Sequence, residues 1–308
     1  MSKNKFSDRY TTAAGEKRAS VPFSGHQTLW FNTGTLCNLE CANCYIESSP
    51  KNDRLSYLSL DDVRPYLVEL ASQKEPPKLI AFTGGEPFLN PHIFEILDAV
   101  LELGRPVLVL TNAYKVIKRS SSKLLELQNK YGELLSLRIS LDHYTEACHD
   151  KERGGGTLRG TLESFKWLWD NGFNLSIAGR SLIAETKESA LNGYRALLRD
   201  NQISLQLDDS KIVIFPEMIE DEDVPEITTS CWEILSKSPS DQMCASERMI
   251  VKKKGKEKAQ VQACTLLAYS EEFNLGGTLE EAATDVYLNH PYCAKFCVLG
   301  GASCSSTK

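Results

Sequence analysis

Strand-like segments alternate with helical ones between residues 28 and 215, which predicts an α/β fold built as a partial (β/α)6 barrel. The strand-like runs are short and apolar, as expected of parallel strands joined by right-handed crossovers. After residue 216 the alternation stops, and a cysteine-rich segment of smaller α+β character follows. Six units are fewer than the eight that close a barrel, so an open one is expected.

Taken in order, residues 1–25 are polar and irregular and read as an arm across the barrel mouth or bottom. Residues 28–33 (TLWFNT) form the first expected strand, and 34–50 a long loop carrying three cysteines. Ser59, with Asp61 and Asp62 behind it, has N-cap character and opens a helix to about residue 73. Residues 78–83 (KLIAFT) form a buried strand that runs into Gly84-Gly85-Glu86-Pro87, and a helix over 91–103 ends at Gly104. Strands at 106–111, 135–141, 173–178 and 211–215 alternate with helices at 121–131, 157–171 and 187–200. Residues 217–226 are acidic, carry Pro225 and suit a linker. A helix is expected over 227–237 and a helix-like segment over 278–287. Residues 248–253 and 259–264 alternate around Lys254-Gly255-Lys256 as a β-hairpin whose lysines read as a solvated tip. The expected units are an arm (1–25), a barrel (26–216), a linker (217–226) and a C-terminal domain (227–308).

The composition is ordinary for a globular chain: 308 residues, net charge −6, 42% hydrophobic and 25% charged. The acidic balance argues against nucleic acid as the main partner. No apolar run approaches the roughly 18 residues of a membrane span, and the polar N-terminus lacks the apolar core of a secretory signal. A cytoplasmic location is therefore expected, with no membrane partner. There, ten cysteines are not expected to form a disulfide framework, and the clustered ones read as metal ligands.

Cys37, Cys41 and Cys44 place three thiols within eight residues, directly after a strand. A structural zinc site wants four protein ligands, and no fourth cysteine lies nearby. Three thiolates around a [4Fe–4S] cube leave one iron free of protein, and an open coordination position is where metal chemistry happens. The Cys-x3-Cys-x2-Cys motif followed by Tyr45 resembles the signature of the radical S-adenosylmethionine (radical SAM) superfamily. That resemblance implies an open iron that binds SAM, and one-electron cleavage to a 5′-deoxyadenosyl radical that abstracts a substrate hydrogen. It also implies a one-electron donor such as flavodoxin or ferredoxin.

Gly84-Gly85-Glu86-Pro87 matches the family's GGEP motif, which implies that Glu86 accepts from the methionine ammonium group. The resemblance further suggests Ser140, and Asn112 or Asp142, as contacts to the ribose or methionine end, and Arg153 as a partner for the methionine carboxylate. The alternative for Arg153 is a surface ion pair at a helix entry. His143, Arg180 and Glu185 are candidates for substrate contact or proton removal, since charged groups at a strand end need a partner.

Five further cysteines lie in the last 65 residues. Cys244 and Cys264 bracket the hairpin, and Cys293 and Cys297 follow in an x3 spacing that resembles, with a departure from Cys-x2-Cys, the auxiliary-cluster domain of SPASM/twitch radical enzymes. That implies a second [4Fe–4S] cluster on Cys244, Cys264, Cys293 and Cys297, with Cys304 able to replace one of the last two and structural zinc as the rival occupant. Cys148 and Cys231 read as small buried hydrophobes.

The expected function is a radical SAM enzyme acting on a small molecule, because 25 N-terminal residues are too short for a leader-binding module. A peptide-modifying maturase is the alternative. A non-catalytic iron–sulfur carrier or sensor is the reading from another class, and GGEP with Arg153 argues against it. Resemblance to the molybdenum-cofactor cyclase is weaker, because its terminal Gly-Gly is absent.

Overall fold

The computed structural model describes residues 4–182, 185–208, 210–216 and 223–301. Residues 217–222 of the expected linker, and Cys304, lie outside them. The chain opens with β1 (Ser20–Val21) and continues with β2 (Thr28–Asn32), α1 (Leu60–Ser72), β3 (Leu79–Thr83), α2 (Ile93–Leu101), β4 (Val107–Thr111) and α3 (Val116–Tyr131). Then come β5 (Leu135–Ser140), α4 (Glu146–Arg153), α5 (Thr157–Asp170), β6 (Asn174–Ser181), α6 (Lys187–Asp200) and β7 (Ile212–Pro216). The C-terminal segment holds α7 (Cys231–Ile234), β8 (Glu247–Val251), β9 (Gln260–Gln262), β10 (Val286–Tyr287) and a π-helical turn over Cys293–Leu299.

The main sheet has eight strands in the order β7-β6-β5-β4-β3-β2-β8-β9. All neighbours are parallel except β8 and β9. The six expected barrel strands and their alternation with helices are all present. Because strand side chains alternate between faces, residues of one parity (Phe31, Phe82, Val109, Leu137, Ile177) join the core under the helices. Those of the other parity (Trp30, Ala81, Leu108) face inward and pack against Ile46 and Leu55 of the cysteine loop region.

Local chemistry explains the element ends. Ser59 and Asp62 form a reciprocal capping box at α1, and Gly104 and Gly172 take positive φ after α2 and α5. Helix α3 starts at Val116, earlier than expected, because Ala113 and Lys115 turn the chain through left-handed conformations straight into it.

The C-terminal expectations need correction. The helix over 227–237 shrinks to Cys231–Ile234, because Ala19 N–H and Thr229 N–H tie residues 227–229 to the arm as extended backbone. Residues 278–287 are turns ending in β10, shaped by the buried Arg248 guanidinium, which donates to Ala282 O and Thr284 O. The hairpin is real, but its first strand lies parallel to β2, with Thr28 opposite Glu247, and so extends the barrel sheet. The arm pairs β1 with β10, and Ala19 and Val21 enter a second core with Cys244 and Cys293. The arm thus belongs with the C-terminal segment. Lys254, Lys256 and Lys258 are exposed at the hairpin tip, as expected, while Lys252 and Lys253 at the strand end pair with Asp62 at 2.7 Å and Glu271 at 2.8 Å.

Candidate functional site

The carboxyl ends of β3 to β6 open on one cavity, where α/β sheets place their sites. Inward-facing Thr83, Leu110, Ser140, Ala178 and Arg180 line its floor, and Cys37, Cys41, Cys44 and Tyr45 line one wall. Gly84, Gly85, Asn112, Asp142 and Arg153 complete the barrel side. Phe215, Met243, Leu266, Phe296 and Cys297 bound it from the C-terminal side.

Backbone N–H groups point at two of the thiols: Leu39 N–H donates to Cys37 Sγ and Ser48 N–H to Cys44 Sγ, at 3.4 and 3.3 Å. Asn112 Nδ2 lies 3.6 Å from Cys37 Sγ. Burial pushes the Cys37 thiol up to about 12, and burial also raises Cys41 against the opposing charge of Arg153. Without metal the Cys37 and Cys41 thiols stay protonated at neutral pH; a cation that binds thiolates is what the set of three is chemically made for.

The two glycines of GGEP are required by close packing. A Cβ at Gly84 would stand 2.6 Å from Gly34 O, and one at Gly85 2.3 Å from Leu36 O. Gly85 N–H donates to Gly34 O and Glu86 N–H to Leu36 O, so this turn is strapped to the entry of the cysteine loop. Glu86 does not line the cavity. Its buried carboxylate accepts from Thr111 Oγ1 and Asn112 N–H, both at 2.8 Å, and from Phe88 N–H at 3.1 Å. These bonds tie Glu86 to the end of β4, where Asn112 lines the cavity.

Asp142 is buried and held by two guanidiniums. Arg153 grips it in bidentate fashion at 2.8 and 3.1 Å, and Arg180 Nε stands 3.3 Å away. Burial opposes ionisation of Asp142, yet these arginines hold it below the usual carboxylate range. Arg153 is therefore a buried partner of Asp142 at the end of α4, not a helix-entry surface group.

Glu152, which sequence reasoning missed, ties α4 to the cysteine loop. Its backbone carbonyl accepts from Ala42 N–H at 2.8 Å, and its carboxylate accepts from Asn43 Nδ2 at 2.7 Å. Arg180 donates to Asn43 O at 2.9 Å and reaches Glu152 at 3.5 Å. Ser48 was missed as well. Its buried hydroxyl has no partner among the described residues and it lines the cavity, a polar group left for a ligand.

His143 and Glu185 lie off the cavity. His143 stacks on Tyr144, whose hydroxyl donates to Glu185 at 3.0 Å, and His143 Nδ1 accepts from Thr145 N–H. Of the three substrate candidates, only Arg180 lines the cavity.

Cys244, Cys264, Cys293 and Cys297 line a second, smaller cavity with Phe273, Tyr292 and other apolar side chains. Burial raises the thiols of Cys244, to about 12, and of Cys264 and Cys293. The x3 spacing is accommodated by the π-helical turn, which presents both later cysteines to one cavity. Cys148 and Cys231 are half-buried and line neither cavity.

The Radical SAM superfamily profile matches residues 31–188, slightly more than half of the chain. The chain belongs to the radical SAM superfamily. Radical SAM proteins are enzymes that use a [4Fe–4S] cluster and SAM, so the carrier reading falls. Among curated relatives, the chain is 34% identical over 176 residues to the antilisterial bacteriocin subtilosin biosynthesis protein AlbA of Bacillus subtilis, covering 57% of this chain and 37% of that protein. It is 28% identical over 156 residues to the AdoMet-dependent heme synthase of Methanosarcina barkeri, covering 49% of this chain and 42% of that protein. The chain thus spans less than half the length of either curated relative. Among solved structures, Streptococcus suis SuiB bound to precursor peptide SuiA superposes with a TM-score of 0.59 at 14% identity, covering 82% of this chain and 62% of that one. AdoMet-bound anSMEcpe gives 0.58 at 16% identity over 83% and 79% of the two chains. These two show a shared radical SAM fold. No helix among the described residues is long and apolar enough to cross a membrane.

Proposed function

We propose that Cys37, Cys41 and Cys44 hold the radical SAM cluster and that the adjoining barrel cavity binds SAM. The observation that carries this is that all three thiols share one cavity with Tyr45, Gly84, Gly85, Asn112, Ser140 and Asp142. When bound, the cluster and SAM supply a 5′-deoxyadenosyl radical for hydrogen abstraction. The chain's own residues hold that chemistry in place. Glu86 fixes the strand end that carries Asn112, and Arg153 and Arg180 neutralise and orient Asp142. The apolar C-terminal wall excludes water from the reacting region.

We read the four later cysteines as ligands of an auxiliary [4Fe–4S] cluster, within a C-terminal unit of residues 227–308 set against a barrel of 26–216. Cys244, Cys264, Cys293 and Cys297 line one cavity, so the four thiols are placed to share a single metal centre, with structural zinc as the rival occupant. A cluster there would take an electron from the substrate radical and give net oxidation. A flavodoxin or ferredoxin in a reducing cytoplasm is the donor this chemistry calls for.

A peptide is the better-supported substrate. The relative at 34% identity is a bacteriocin biosynthesis protein, and a solved structure of the same fold holds a precursor peptide. The small-molecule reading draws support from the heme synthase relative. Anaerobic reconstitution with iron counting, followed by electron paramagnetic resonance of the reduced protein with and without SAM, tests the cofactor assignment. About eight irons per chain and a signal that SAM shifts are expected; about four irons, or a signal indifferent to SAM, would count against it.

A further inference from the structure

Three cysteines of the second set, Cys244, Cys264 and Cys293, line the C-terminal cavity and not the barrel cavity, whereas Cys297 lines both. Among the described residues, the other two common to both linings are Met243 and Leu266. The partition between the two cavities is therefore one side chain thick, and Cys297 is its one thiol. We propose that Cys297 is the substrate-side ligand of the auxiliary cluster, the position at which that centre faces the barrel.

The backbone fixes this aim. Cys297 sits in a π-helical turn, a rare form that recurs at functional sites, and the turn is pinned at its far end. Gly300 N–H donates to Lys295 O and Gly301 N–H to Cys297 O, and a Cβ at Gly300 would stand 2.6 Å from Lys295 O. Lys237 Nζ donates to Val298 O and ties the turn to the segment after α7. Cys293, by contrast, is buried in the second hydrophobic core with Cys244 and Ala294. Removing the Cys293 thiol exposes an iron to packed apolar side chains, while removing the Cys297 thiol exposes one to the space where substrate lies.

The proposal rests on the auxiliary-cluster reading, and the test separates the two. Iron is first counted in the wild-type holoenzyme, where about four per chain would overturn both. With about eight present, SAM is added to saturation so that the first cluster's open iron is occupied, and 13C-labelled cyanide serves as the probe. Electron–nuclear double resonance is then recorded on reduced Cys297→Ala and Cys293→Ala holoenzymes. Each carries Met243→Leu, so that no thioether at position 243 can replace the lost thiolate.

The Cys297 variant should keep about seven or eight irons and acquire a 13C coupling on the second cluster, at least tenfold stronger than in the Cys293 variant. Equal coupling in the two variants, no coupling in either, or loss of about four irons from the Cys297 variant would overturn the assignment.

Discussion

Glu86 keeps its carboxyl group out of water, and burial raises its pKa to about 7 despite three donors from Phe88, Thr111 and Asn112. An unfolded chain releases this proton near pH 4.5. Between those values the folded state binds more protons, so Glu86 makes stability fall as pH rises from about 4.5 to about 7. In Glu86→Gln that contribution is absent. The variant's unfolding free energy should therefore gain on the wild type as pH rises from 5.5 to 7, by at most about 1.4 kcal/mol per pH unit. A difference independent of pH would contradict this placement. The GGEP motif was legible in the sequence; the direction of its carboxylate was not, because the demand for an acceptor comes from Thr111 and Asn112, across the sheet.

Helix α4 shows what an element can do that its own residues do not announce. Its eight residues carry little apolar periodicity, so pattern reading passed over it, yet it delivers Arg153 to Asp142 and Glu152 to the cysteine loop. In Glu152→Ala, Asn43 loses its acceptor and Arg180 one of its two carboxylates. Losing a hydrogen bond to a charged group costs on the order of 2 kcal/mol. The cost should fall on the loop, so iron release from the first cluster to a chelator should quicken several-fold while the second cluster is retained. Equal release from both clusters would show that Glu152 serves global stability alone. The six barrel strands and most of their helices, by contrast, were readable from apolar runs and caps, because burial and capping are local demands.

At the scale of the whole molecule, the least legible feature is how the C-terminal segment joins the barrel. Strand β8 looks like half of a self-contained hairpin in the sequence, but it lies beside β2, more than two hundred residues earlier in the chain. The arm closes the same junction from the other side through β1 and β10. This seam brings the two cysteine sets to neighbouring cavities, with Cys297 between them. The central claim is that the first set alone carries SAM cleavage. Its most direct test is 5′-deoxyadenosine formation from SAM and dithionite by reconstituted wild type and by the Cys37→Ala, Cys41→Ala, Cys44→Ala triple variant. The wild type should form 5′-deoxyadenosine and methionine, and the triple variant neither, while keeping about four irons. Product from the triple variant, or none from a fully loaded wild type, would contradict it.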